Sequence, residues 1–126
     1  MEFKSILWVF LGGGLGSSLR YFIQLLFKPS LNQFPLHTLN ANLIGCLLIG
    51  LFVGSLSRWG LLKNQASLFL IVGFCGGLTT FSSFALDLFN LSKVSSFFTP
   101  LLYLFANIFL GILLLMLGIY IAKQLF

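Results

Sequence analysis

The sequence predicts an all-α membrane protein of four transmembrane helices, and three observations carry that expectation. Of the 126 residues, 59% are hydrophobic and only 7% are charged, with a mean hydropathy of +1.08; a soluble chain carries roughly 25% charged residues. The charged positions are Glu2, Lys4, Arg20, Lys28, Arg58, Lys63, Asp87, Lys93 and Lys123, too few to coat a soluble globule. Finally, four stretches reach the roughly 20 apolar residues that a membrane-crossing helix needs, with only short segments between and beyond them.

The first span reads from Ser5 to Phe27. Lys4 before an apolar run also opens many signal peptides, but this run outlasts an h-region and meets no small-residue cleavage site, so a retained span is expected. The second reads from Thr38 to Leu56, the third from Ser67 to Leu91 and the fourth from Pro100 to Ala122. Residues 1–126 therefore form one transmembrane domain. With no extramembrane domain expected, the chemistry falls to groups at membrane depth, which excludes most enzymes and any organic cofactor held in a soluble fold.

Cys46 and Cys75 fall inside the second and third spans without CxxC spacing, as small buried hydrophobes rather than disulfide or zinc ligands. The net charge of +5 is spread singly over span ends and loops, the pattern of a membrane protein rather than of a nucleic-acid partner. Both termini and the second loop share one side, which holds Lys4, Arg58, Lys63 and Lys123; the other side holds Lys28 and Lys93. That bias is weak, and Arg20 near the end of the first span blurs it. Two arrangements remain open: fixed cytoplasmic termini, or a dual-topology subunit pairing antiparallel with its own copy about a two-fold axis in the membrane plane.

Gly12 and Gly16, Gly50 and Gly54, and Gly73 and Gly77 each repeat the small-xxx-small spacing, which predicts close backbone contact between helices. The polar chemistry concentrates in the third span, at Gly73-Phe74-Cys75-Gly76-Gly77-Leu78-Thr79-Thr80-Phe81-Ser82-Ser83-Phe84. Paired glycines followed by a hydroxyl cluster in mid-membrane predict a broken helix, with the continuous glycine-packed helix as the alternative. A half-helix ending near Gly76 would offer carbonyls to a cation. A second half capped by Thr79 or Thr80 would aim its amides at an anion.

Phe81 and Phe84 lie on one helical face, placed either for packing or for presenting their positive ring edges to a small anion. Thr38 and Asn42 share a face of the second span, beside Asn40. Such groups in hydrocarbon mark an interhelical hydrogen bond or a permeation path.

Three blocks together resemble the CrcB/Fluc family of fluoride channels: Gly12-Gly13-Gly14-Leu15-Gly16-Ser17-Ser18-Leu19-Arg20-Tyr21, Thr38-Leu39-Asn40-Ala41-Asn42-Leu43-Ile44-Gly45, and the Gly73–Phe84 block above. The third block is the most specific, and the resemblance extends over essentially the whole chain. It implies an antiparallel homodimer in the cell's inner (plasma) membrane, with two fluoride pores, a structural sodium ion at the interface and passive export of cytoplasmic fluoride. By the same resemblance, Asn42, Phe81 and Phe84 face fluoride in the pore, accompanied by Thr38 and the hydroxyls of Ser82 and Ser83. Arg20 and Asp87 flank the vestibule, and the backbone carbonyls of Gly76 and Thr79 bind sodium. The fourth span departs from the family pattern: it offers Gly111 and Leu115 where many relatives have Ser or Thr, leaving Tyr103, Asn107 or a water to substitute.

Physical chemistry agrees with that implication. Fluoride is small and firmly hydrated, so a selective pore must replace its water with donors that still release it. Neutral amides, hydroxyls and phenyl edges suit the task. Two rivals from other classes are a small dual-topology proton-coupled exporter and a non-conducting membrane assembly subunit. The first needs a carboxylate deep in a span, and Asp87 reads toward the end of the third; the second predicts no ion flux.

Overall fold

The structure, a computed structural model, describes residues 3–28 and 34–126. Four helices are long and apolar enough to cross a membrane: Phe3–Phe27, Leu36–Arg58, Gln65–Val94 and Phe98–Leu125. Among the described residues there is no strand. Each helix runs past the apolar stretch read from sequence, since helices continue into the interfacial layer, where hydropathy no longer marks them. Of the first loop, residues 29–33 lie outside the described residues.

The first span is α1 (Phe3–Phe27) and the second is α2 (Leu36–Arg58). The third opens with α3 (Gln65–Ser67), where the Asn64 side chain accepts the Gln65 amide at 2.5 Å. It continues through a wide-turned π-helix, Leu68–Cys75, and α4 (Gly76–Leu78), and resumes as α5 (Phe81–Val94). The fourth comprises α6 (Phe98–Phe105), a π-turned segment Ala106–Leu110, and α7 (Gly111–Leu125). After α2, Gly60 adopts φ +68°, which a Cβ would disfavour, and the Leu61 amide returns to the Leu56 carbonyl at 2.8 Å.

Two seams of small residues hold the bundle, as the small-xxx-small spacing predicts. In the first, α1 meets the leading half of the third span. A Cβ on Gly12 or Gly16 would run into the Phe69 or Phe74 carbonyl, and one on Gly77 would lie 2.5 Å from the Gly13 carbonyl. In the second, α2 meets α7, with Gly50 backbone against Gly118 and a Gly54 Cβ placed 2.6 Å from that of Ala122. With lipid as apolar as the side chains, close backbone approach does what core burial does in water.

Consistently, the buried core is small. Leu39, Phe84, Leu91 and Tyr103 form one cluster and Ile23, Ala41 and Leu78 another. Large apolar side chains such as Phe10, Phe98 and Tyr120 stand exposed on the outside, the arrangement that hydrocarbon surroundings favour.

Candidate functional site

The third helix is interrupted at Thr79 and Thr80, both in extended conformation (φ −80°, ψ 154° and φ −151°, ψ 120°). The sequence expectation of a break is met, but the first half ends at Leu78 rather than near Gly76. Adjacent glycines do not end the helix here, because they serve the seam with α1. Thr79 ends it: its amide and its hydroxyl both bond the Cys75 carbonyl at 2.9 Å, closing the last turn. Thr80 then caps α5, its hydroxyl accepting the Ser83 amide at 3.1 Å.

The exposed peptide of the break finds its partner in α2. Asn42 Oδ1 accepts from the Thr80 amide at 2.8 Å, while Asn42 Nδ2 donates to the Thr80 carbonyl at 3.3 Å and to Asn107 Oδ1 at 3.0 Å. Asn107, in the π-turned segment of the fourth span, passes the chain on by donating to the Tyr103 carbonyl at 3.0 Å. A carboxamide has two N–H donors and one carbonyl, so Asn42 commits all of them within its own chain, and the break costs no unmet hydrogen bond at these positions.

Beside this clamp lies an open apolar groove of about 740 Å³, lined among others by Asn42, Thr79, Phe81, Phe84 and Asn107. The two rings differ in kind. Phe81 is 79% exposed and Phe84 only 7%, the latter packed on Leu39, Leu91 and Tyr103. Their centroids lie 5.7 Å apart at 52°, and Phe84 meets Tyr103 at 5.3 Å. Phe84 thus has a packing role within the chain, and Phe81 offers its ring outward.

On the other side of the break is a polar cavity of about 300 Å³, whose walls include Arg20, His37, Thr38, Thr80, Ser83 and Asp87. Thr38 Oγ1 donates to Asp87 Oδ2 at 2.5 Å, and the Tyr103 hydroxyl donates to the same oxygen at 3.2 Å. Arg20 reaches the break itself, Nη1 to the Thr79 carbonyl at 3.4 Å. Asp87 lies inside α5 with 17% of its side chain exposed, toward the end of the third span as the sequence reading placed it, and hydroxyls from α2 and the fourth span satisfy its carboxylate.

The two serines part company. Ser83 lines the polar cavity, whereas Ser82 is exposed and its hydroxyl lies 3.2 Å from that of Thr80; consecutive helical residues point about 100° apart. Gly76 lies on an exposed face, and a Cβ there would come no nearer than 3.9 Å to any atom, the Ile71 carbonyl.

The structure therefore brings Asn42, Phe81 and Phe84 to one groove and Arg20, Thr38, Ser83 and Asp87 to one cavity. Sequence reasoning passed over two members. Gly45 makes room for the Thr79 methyl, which would collide with a Cβ there, and His37 stands beside Asp87. The signal for His37 was present in its being the chain's single histidine, one residue before Thr38.

Comparison with known proteins bears on this arrangement. Residues 7–119 match the family model described as CrcB-like protein, Camphor Resistance (CrcB). Among curated proteins, the chain is 41% identical to a protein named fluoride-specific ion channel FluC from Azobacteroides pseudotrichonymphae, over 98% of each chain. It is 41% identical to one of the same name from Flavobacterium psychrophilum, covering 97% of this chain and 99% of that protein. A like-named protein from Pyrococcus furiosus is 38% identical, over 98% of this chain and all of the relative. With a family match over most of its length and such identity end to end, the chain belongs to the CrcB family, a family of fluoride ion channels rather than enzymes.

Proposed function

We propose that the chain is a fluoride-selective channel that exports cytoplasmic fluoride passively across the inner (plasma) membrane, working as an antiparallel homodimer with two pores. One observation carries the reading: Phe81 stands exposed in an open groove directly beside the Asn42-clamped break. A second copy covering that groove would turn it from an open surface into a narrow, water-poor path. The phenyl edges of Phe81 and Phe84 would supply partial positive charge there. Asn42 would exchange its longer bond, the 3.3 Å contact to the Thr80 carbonyl, for the passing anion. Neutral donors and ring edges bind weakly enough to let the ion leave. Ser83, Thr38 and Arg20 would receive it at the polar cavity.

A structural sodium ion fits the donor set. The carbonyls of Gly76 and Thr79 fall where helical pairing ends, and a helix end leaves its last carbonyls without amide partners; Gly76 is exposed, and the Thr79 carbonyl, which accepts from Arg20 at 3.4 Å, would exchange that long contact for the ion. One chain offers two such oxygens and two antiparallel chains offer four, so these residues would hold the ion at the two-fold axis. Bound there, it would neutralise converging carbonyl dipoles and fix the dimer.

The test is efflux from liposomes containing the purified chain, with fluoride compared against chloride. Fast fluoride and negligible chloride release is expected. Equal release of both, or none of either, would overturn the proposal.

A further inference from the structure

His37 stands at the wall of the polar cavity with one ring nitrogen sealed. Its Nε2 lies 3.7 Å from Asp87 Oδ2, with side-chain exposures of 12% and 17%, and its Nδ1 is buried with no hydrogen-bond partner among the described residues. Among the described residues the Asp87 carboxylate is the charged group within 4 Å of the ring, so the charge state of His37 acts first on Asp87.

Among the described residues, charged and titratable groups face the pair from several elements. From α1, Arg20 and Tyr21 line the same cavity; from the fourth span, Tyr103 donates to the carboxylate; Asp87 itself comes from α5. Thr38 adds a neutral hydroxyl from α2. With a neutral imidazole no cation meets the Asp87 carboxylate among the described residues, because Arg20 reaches the Thr79 carbonyl instead, and the carboxylate remains an unmatched negative charge at its own wall. With an imidazolium, Asp87 is matched at short range and the cavity carries net positive charge. A charged wall at the mouth of a pore sets the local concentration of the ion that passes it, and imidazole is the side chain whose ordinary titration falls between about pH 5 and 8.

We propose that His37 is a positioning residue of the anion vestibule: once protonated, it pairs with Asp87 and cancels the carboxylate's repulsion, so fluoride crosses faster at acidic than at alkaline pH. The proposal rests on the fluoride-channel reading above. The sign follows from the charges: the faster state is the protonated one, present at low pH and lost as pH rises. The uncharged form leaves the Asp87 oxygen held only by the hydroxyls of Thr38 and Tyr103, which soften its charge without cancelling it.

The test measures initial fluoride efflux from proteoliposomes at about pH 6 and pH 8, with protein-free vesicles subtracting the leak of undissociated hydrogen fluoride. The wild-type chain should run on the order of tenfold faster at the acidic end, the effect of one nearby unit charge in a partly screened site. His37→Gln should be slow and flat with pH, and His37→Arg fast and flat. A slope retained by either variant, or a flat wild-type profile with fluoride still conducted, would overturn the proposal alone. A wild-type chain passing no fluoride at either pH would instead overturn the channel reading beneath it. Should His37→Gln not fold, the profile of His37→Arg decides the matter by itself.

Discussion

The Asn42 side chain pairs with the Thr80 peptide as a neighbouring strand would, accepting the Thr80 amide at 2.8 Å and donating to the Thr80 carbonyl at 3.3 Å. This amide pair lets two extended residues persist at membrane depth, where an unmet backbone group costs several kcal/mol. It also makes Asn42 part of the scaffold of the break before any ion arrives.

Asn42→Asp tests both roles together. The carboxylate can still accept from Thr80 but cannot donate to the Thr80 carbonyl or to Asn107, and it adds a negative charge beside the groove. Fluoride efflux should be abolished, and stability should fall by about 1–3 kcal/mol, read by thermal denaturation of the purified protein. Efflux at the wild-type rate would remove Asn42 from the path.

Thr80→Val removes the hydroxyl that caps α5 while keeping the β-branched shape. A lost cap costs about 0.5–2 kcal/mol, so a lower thermal midpoint is expected together with slower efflux, as the start of α5 and Phe81 lose their fixed position. An unchanged midpoint would show that the cap at 3.1 Å to Ser83 carries no stability.

Two glycine substitutions separate contacts within a chain from contacts between chains. Gly16→Ala places a methyl against the Phe74 carbonyl, and overpacking of this kind costs about 1–3 kcal/mol. At Gly76, which is exposed, a Cβ makes only an ordinary contact at 3.9 Å with the Ile71 carbonyl, so in Gly76→Leu the fold should survive while the dimer or its flux is lost. A fully dimeric, conducting Gly76→Leu protein would remove Gly76 from the interface and from the sodium site.

Much of this was legible in the sequence, and the limits have physical causes. The four spans follow from hydropathy, and the seams from glycine spacing, because lipid leaves helices little else to associate through. The break was legible in its residue types but misplaced at Gly76, since glycine permits many conformations and only the doubled bond of Thr79 to the Cys75 carbonyl decides where the turn closes. The π-turned segments Leu68–Cys75 and Ala106–Leu110 carry no residue signature; they are a register of backbone bonds. For Asn42, sequence left glue and pore side by side. The hydrogen bonds to Thr80 and Asn107 establish the first, and Asn107, noted only as the polar exception of its span, proves to be the partner.

Topology has its own test. With Cys46 and Cys75 replaced, a cysteine introduced near the N-terminus at the exposed Phe3, which leaves every basic residue in place, and probed with an impermeant thiol reagent in intact cells should be labelled in roughly half of the molecules if the weak charge bias lets insertion split evenly. Labelling of essentially all or none would show one fixed orientation and would end the antiparallel dimer.

If fluoride passes along the outward ring of Phe81, liposomes carrying Phe81→Ile should release it slowly. Isoleucine keeps apolar bulk and deletes the aromatic edge, and a side chain 79% exposed within its own chain contributes little to the fold of that chain. Efflux should fall at least about tenfold, a barrier change of about 1.4 kcal/mol, in a protein whose oligomeric state and thermal midpoint match the wild type; wild-type efflux from that preparation would place the fluoride path away from this ring.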